Sequence, residues 1–232
     1  PLRDLRALWN LCRFLRRERF DLVEVSTPKA ALIGAVAARL AGAPLVVYLL
    51  RGLAYQQQGA LTRRLLWLSD KIACRFAHRV ISISASTLEQ ACEDGISPRD
   101  KIVVLGHGSS NGVDLERFSR GREGDSRQVR HRLSTPDNAI IAGFVGRMTG
   151  DKGVVELVDA FTAVSPAVPR LHLLLVGDYE HRDRPPDRIT RTIRQHPRIR
   201  AVGWQDDTRP YFGVMDLFVF PTHREGFGTV LL

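Results

Sequence analysis

The stretch AIIAGFVGRMTGDKG, residues 139–153, sets the terms on which the rest of the chain is read. Its first seven residues are almost continuously apolar and end at a glycine, the pattern of a strand buried on both faces of a parallel sheet. The remainder is a glycine-punctuated loop with two cations, Arg147 and Lys152, and a helical pattern is expected from about Lys152 to residue 164. In open parallel sheets, ligands settle at the carboxyl ends of the strands, where loop amides and a helix N-terminus favour negative charge. Gly146 and Gly150 permit close backbone approach, Arg147 offers a bidentate fork, and Lys152 supplies a mobile point charge. The spacing is neither GxGxxG nor GxxxxGK(S/T), so the dinucleotide fingerprint and the P-loop are both excluded. By itself the loop is equally compatible with a solvated turn.

Outward from this stretch the same alternation runs through the chain. Strands are expected at 21–25, 45–50, 79–84, 101–105, 139–145, 171–176, 199–202 and 216–220. Helices are expected at 2–18, 29–41, 61–77, 85–93, 152–164, 187–196 and 208–214. Short doubly apolar strands joined by helices give an α/β class with parallel sheets covered on both sides. The run RGREGDSRQVRHR, residues 120–132, is charged and nearly free of large apolar residues, and reads as a linker entering a short polar helix. The expected organisation is a first domain over 1–120, a linker over 121–136 and a second domain over 137–232.

Size and composition agree with a soluble two-domain reading: 232 residues, 44% hydrophobic and 25% charged, which excludes disordered and fibrous classes. No apolar run reaches the roughly 18 residues of a membrane span, and PLRDLRALWN has none of the regions of a signal peptide. The three cysteines, Cys12, Cys74 and Cys92, are odd in number and far apart. That speaks against a disulfide framework or a zinc site and for small helix-face hydrophobes in a reducing cytoplasm. A formal net charge of +9 calls for an anionic partner: nucleic acid, an anionic membrane surface or a phosphorylated small molecule.

Much of that charge lies on two helices. In the first, Leu5, Leu8, Cys12 and Leu15 recur at helical spacing beside Arg3, Arg6, Arg13, Arg16, Arg17 and Arg19, flanked by Trp9 and Phe14. In the third, Leu61, Leu65, Leu68, Ile72 and Phe76 form a stripe opposed by Arg63, Arg64, Lys71 and Arg75, with Trp67 nearby. Two readings stand: a core-facing stripe with a charged back, or an interfacial helix on anionic lipid.

A second loop belongs with the first. PTHREGFGTVLL, residues 221–232, also follows an apolar strand, and EGFG is expected to open another helix. Gly226 and Gly228 bare backbone amides to an anion, while Glu225 can accept hydrogen bonds from sugar hydroxyls or merely cap its own helix. Together the two loops imply a phosphate and a polyol in one cleft.

At this point GRMTGDKG with ELVDAF after it, LLLVGD at 173–178, GWQDD at 203–207 and DLFVFPTHREGFGTVLL at 216–232 resemble successive motifs of the family 4 (group 1) glycosyltransferases. Across 44–118 the motifs VVYLLRG, ISISAS and GSSNGVDLERF resemble the subset that builds bacterial capsular, O-antigen and lipid-linked oligosaccharides. The resemblance implies the GT-B fold: two Rossmann-like domains with parallel sheets facing across a cleft, both incomplete here. It implies that Arg147 and Lys152 hold the diphosphate of a UDP- or GDP-linked sugar and stabilise the charge that grows on the leaving nucleotide. Glu225 would match the first glutamate of the E-x7-E motif, and amides from Gly226 and Phe227 through Gly228, Thr229 and Val230 would approach the phosphates. Arg51 and Gly52 stand in LLRG where many relatives carry a histidine turn, and Arg51 is expected to meet a donor or acceptor phosphate.

The resemblance further implies a retaining transfer with no metal and no bound cofactor, the nucleotide sugar being a co-substrate. No DxD triplet follows a strand; Asp206 and Asp207 are adjacent, and Asp178 with Glu180 is a weak substitute. The second glutamate of E-x7-E would fall just past Leu232, and the chain opens on a helix rather than a first strand, so an internal fragment is expected. His107, His223 and Arg224 are read as structural or solvated, and Asn111, Gly112 and Asp114 as turn formers. The implied partners are a nucleotide-sugar donor and a lipid-linked glycan acceptor, with peripheral contact to the inner face of the plasma membrane through the basic helices and no nucleic acid. The alternatives are a non-catalytic nucleotide-sugar-binding relic, a GT-B nucleotide-sugar epimerase, and a nucleic-acid-binding protein, the last disfavoured because no aromatics interleave with the cations.

Overall fold

The computed structural model describes residues 2–56, 58–109, 111–118, 123–180 and 183–232, the backbone alone at 123–126. The chain divides into two compact units: residues up to Gly112 with Gly226–Thr229, and Val113–Glu225 with Val230–Leu232.

The first unit is a four-stranded parallel sheet of β1 (Leu22–Ser26), β2 (Leu45–Leu50), β3 (Arg79–Ser82) and β4 (Ile102–Val104), in that order across the sheet. Each strand returns through a helix: α2 (Pro28–Ala41), α3 (Ala60–Phe76) and α4 (Ala85–Glu93), with α1 (Leu2–Glu18) ahead of them. Consecutive right-handed crossovers place their helices on one face, and the core lies there, where Val46, Tyr48, Leu50, Val80 and Ile102 meet Ala31, Ala35, Ala38 and Ala73. Small residues on α2 let it approach the sheet closely. A Cβ at Gly34 would lie 2.7 Å from Val25 Cγ1.

The cysteines behave as the composition suggested. Cys74 is buried, Cys12 and Cys92 are partly buried, and all three are free thiols against this core. The amphipathic helices divide the two readings between them. On α1, Leu8, Leu11, Cys12 and Leu15 pack inward while Leu2, Leu5 and Trp9 are exposed. On α3 the inward set is Leu66, Ser69, Asp70, Ala73 and Cys74, so Leu61, Leu65 and Leu68 face outward beside Arg64, Lys71 and Arg75. The apolar stripe of α3 is therefore split: Phe76 packs on the core with Leu66 and Trp67, its three leucines face outward, and Ser69, Asp70, Ala73 and Cys74 lie over the sheet.

Asp70 is fully buried. Its Oδ1 accepts the Tyr48 hydroxyl at 2.9 Å, and its Oδ2 has no partner among the described residues. Burial pushes its carboxyl up to about 6 against the lowering hydrogen bond from Tyr48. Because the folded value lies above the unfolded one, ionising Asp70 costs stability, and that cost appears as pH rises from near 4 through 6. Asp70→Asn is expected to gain up to about 3 kcal/mol over the wild type between pH 4 and pH 7.5, measured as the difference in urea-unfolding free energy. An equal gap at both pH values would contradict the assignment.

The second unit contains α5 (Glu123–Arg132), β5 (Ile140–Val145), α6 (Val154–Val164), β6 (Leu171–Val176), α7 (Asp187–Gln195), β7 (Ile199–Ala201), α8 (Arg209–Phe212) and β8 (Leu217–Phe218). Helices cover both faces of its parallel sheet: one core holds Phe144, Leu173 and Leu175 against α6 and α7, the other Ile141, Leu174 and Val176 against Val129, Leu133 and Tyr211. Residues 123–136, part of the expected linker, pack within this unit, and 121–122 lie outside the described residues. Strand order is β7-β6-β5-β8. The chain thus steps outward from β5 and then returns to its other side, the kind of reversal beside which open parallel sheets bind ligands at the carboxyl ends of their strands. No helix among the described residues is long and apolar enough to cross a membrane.

Candidate functional site

The two loops singled out in the sequence leave the sheet at this reversal. The loop after β5 ends at Gly153, whose left-handed φ of 72° caps α6, so the helix begins at Val154 rather than near Lys152. Asp151 and Lys152 are consumed by the turn. That turn is clasped to the loop after β8. The Asp151 carbonyl accepts the His223 amide at 2.9 Å and the Thr222 hydroxyl at 3.2 Å, and a Cβ at Gly153 would fall 2.0 Å from the Pro221 carbonyl oxygen. Only glycine supplies both the dihedral and the space.

Lys152 forms an ion pair with Glu225 and its ammonium lies 5.7 Å from the centroid of Phe220. Phe220 in turn stacks between Phe144 and Phe218, each at 6.0 Å. The Lys152 side chain is only 14% exposed and that of Glu225 29%, so this cation is fixed in place rather than waving in solvent. Arg147 leans the other way. Its guanidinium pairs with Glu180, after β6, and with Asp151 Oδ2 at 3.4 Å. The structure therefore brings Lys152 and Glu225 into contact and gives Arg147 its own acidic partners, Asp151 linking the two cations. Burial alone would raise the Asp151 carboxyl, but the Thr149 hydroxyl and the Arg147 and Lys152 charges outweigh it and hold it below its usual value. An anionic ligand meets cations already neutralised and must compete with these carboxylates, which favours a multiply charged ligand such as a diphosphate over a single charge.

The main chain around the site is packed as tightly. Gly146 lies against the Phe144 ring, and a Cβ at Gly177, φ 133°, would meet the Gly146 carbonyl oxygen at 1.9 Å. Asp178 accepts the Met148 amide through its carbonyl at 2.8 Å and the Trp204 amide through its carboxylate at 3.2 Å, tying the GWQDD turn to the β5 loop. His223 contacts Glu156 at 2.9 Å. Sequence reading missed Phe220, Asp151 and Asp183, whose carboxylate accepts the Asp151 amide at 3.0 Å. The one signal for Phe220 was its place at the end of an apolar run.

Of the remaining candidates, Arg51, Gly52 and Gly226 through Thr229 lie in the first unit and Val230 in the second. Gly226 packs on the loop after β2: its Cβ would lie 2.4 Å from the Arg51 carbonyl oxygen and 2.6 Å from Ile83 Cδ1. Gly52 has φ 142°, and Thr87 Oγ1 reaches the Gly226 carbonyl at 3.5 Å. The Phe227 ring lies close to Gly108, beside His107. Gly228 adopts φ 70°, after which Thr229–Leu231 forms a single 3-10 turn where a helix was expected. Val230 and Arg51 are partly and largely exposed respectively. At the end of β1, Thr27 is held at φ 67°, a conformation that costs a threonine about 1–3 kcal/mol, and the buried Ser26 hydroxyl has no partner among the described residues.

Residues 1–108 match the family described as glycosyl transferase 4-like domain, and residues 139–232 the family described as glycosyl transferases group 1. The chain is 33% identical to the capsular polysaccharide biosynthesis glycosyltransferase CapM of Staphylococcus aureus over 98% of its own length and 59% of that protein. It is 26% identical to the UDP-Gal:alpha-D-GlcNAc-diphosphoundecaprenol alpha-1,3-galactosyltransferase of Escherichia coli, over 100% of its length and 59% of that protein. The fold matches Anabaena HepE, solved in complex with UDP-glucose, at a TM-score of 0.79 and 23% identity, covering 97% of this chain and 59% of HepE. The chain thus spans about three-fifths of the length of these relatives.

Proposed function

Since the chain belongs to the glycosyltransferases, with a 4-like domain ahead of a group 1 domain, we propose that it moves a sugar from a nucleoside diphosphate sugar onto a lipid-linked or polysaccharide acceptor. The observation that carries this reading is the pairing of Lys152 with Glu225 at the strand-order reversal: one cation for a phosphate and one carboxylate for sugar hydroxyls, held side by side. In the reaction the bond from the anomeric carbon to the diphosphate oxygen breaks and a bond to the acceptor oxygen forms. The acceptor proton passes to the departing phosphate, and Lys152 and Arg147 stabilise the charge left there. Transfer proceeds with retention. CapM and the Escherichia coli enzyme, named for capsular polysaccharide and for a diphosphoundecaprenol-linked sugar, support a lipid-linked or polysaccharide acceptor.

The protein works at the inner face of the plasma membrane. Exposed Leu2, Leu5 and Trp9 on α1 beside Arg6 and Arg13, whose guanidinium lies 4.7 Å from the Trp9 ring, support this. The test is a transfer assay with UDP- and GDP-linked sugars and a short-chain lipid diphosphate sugar. The reading expects a glycosylated lipid with one donor class, and donor hydrolysis with neither donor would overturn it. Because two protein cations meet the diphosphate, excess EDTA is expected to leave the rate within about twofold; loss of activity restored by a divalent ion would contradict metal independence.

A further inference from the structure

Two cavities lie end to end along α3, on the flank between its buried and outward faces. The first, about 500 Å³, is bordered by Arg63, Arg64 and Trp67 of α3 and by Tyr55 and Asp94. The second, about 550 Å³, is walled by Leu68, Ile72, Ile96 and Pro98, with Lys71, Arg75 and Lys101 at its edge. Their linings are adjacent in sequence at Trp67 and Leu68 on the helix and at Asp94 and Gly95 on the facing turn.

The first cavity carries the charge. No ion pair or side-chain hydrogen bond holds Arg63 or Arg64 among the described residues. The Asp94 carboxylate opposite accepts the Tyr55 hydroxyl, and its carbonyl accepts the Trp67 indole at 2.9 Å, so two guanidiniums and one carboxylate border the cavity. Gly59 caps α3 without a side chain, leaving the helix N-terminus as a further partial positive charge beside the cavity. The second cavity is apolar, and Leu68 on its wall is 44% exposed. An anionic head joined to an apolar tail matches both halves at once; a nucleic acid or an acidic protein matches only the first.

We propose that this groove binds the lipid carrier of the acceptor: the diphosphate lies against Arg63 and Arg64, and the isoprenoid chain runs through the trough lined by Leu68, Ile72 and Ile96. The inference rests on the proposed lipid-linked acceptor and adds where in the first unit its carrier is held. Two guanidiniums recognise a diphosphate in paired, forked geometry, and the apolar wall discriminates a prenyl diphosphate from inorganic pyrophosphate.

The test is calorimetric titration with farnesyl diphosphate, farnesol and inorganic pyrophosphate, alongside UDP. Farnesyl diphosphate is expected to bind at least tenfold more tightly than either fragment. The double variant Arg63→Ala, Arg64→Ala is expected to fall to the affinity for farnesol, and Leu68→Asp to that for pyrophosphate. UDP binding is expected to be unchanged in both variants, which also reports that they fold. Wild-type affinity for farnesyl diphosphate in both variants overturns the assignment. So does loss confined to partition onto phosphatidylglycerol vesicles, which would make this face a bilayer contact only. UDP bound without farnesyl diphosphate sinks the groove alone; farnesyl diphosphate bound without UDP sinks the donor reading and leaves the groove standing.

Discussion

Replacing Lys152 with alanine is expected to lower turnover by about 10²–10³-fold, roughly 3–4 kcal/mol of transition-state stabilisation, with much less effect on the Michaelis constant for the acceptor. The size follows from its environment. The ammonium is mostly buried, lies near Phe220 and is paired with Glu225, so under the proposed function it is pre-positioned for the charge that develops on the departing diphosphate and needs little reorganisation. Arg147 is 53% exposed and already shared between Glu180 and Asp151. Arg147→Ala is therefore expected to cost less than Lys152→Ala, by about tenfold in rate. Steady-state kinetics on the two variants and Glu225→Gln checks this ranking; a Lys152→Ala enzyme with unchanged turnover would remove the lysine from the chemistry.

Gly177→Ala is expected to cost about 3–5 kcal/mol in folding stability, read as a fall in melting temperature of about 10 °C. A methyl group there would fall 1.9 Å from the Gly146 carbonyl oxygen, at a φ of 133° that L-residues rarely adopt. Relief requires β6 to move away from the start of the β5 loop, and with it Arg147 from Glu180, so nucleotide binding is expected to weaken in whatever fraction stays folded. Gly42, which caps α2 at φ 82° with nothing within 4 Å, is the control. Gly42→Asn is expected to cost about 1 kcal/mol or less. Equal melting temperatures for Gly177→Ala and the wild type would refute the close approach.

The alternation of strands and helices was legible because doubly buried strands are apolar throughout and stand apart from amphipathic helices. All eight strands fall within two residues of the expected bounds at each end, and the early close of the last one is instructive. β8 closes after Phe218 although DLFVF continues apolar to Phe220: the Val219 amide still donates to the Gly143 carbonyl of β5 at 2.8 Å, and Phe220 then leaves the ladder to stack with Phe144 and Phe218 near Lys152. Gly146 was legible as a point of close approach, though not that it lies against the Phe144 ring, whereas Gly153, placed inside the expected helix, ends the loop instead. The contacts that make the site, Lys152 with Glu225 and Arg147 with Glu180, join residues 73 and 33 positions apart, and periodicity carries no information at that range. Strand order is likewise invisible in a single chain, yet it is the return of β8 to the far side of β5 that brings the two loops together. The leucines of α3 were left between two readings for a related reason: spacing shows which residues share a face, not whether that face meets the sheet.

The central claim, that the crevice between β5 and β8 grips the diphosphate of an activated sugar, is tested most directly by calorimetric titration of the wild type and Lys152→Ala with UDP and with UMP. The wild type is expected to bind UDP at least tenfold more tightly than UMP, with the preference persisting at high salt, and Lys152→Ala to bind the two within about threefold of each other. Equal affinity for UDP and UMP in the wild type, or an undiminished preference for UDP in Lys152→Ala, would contradict it.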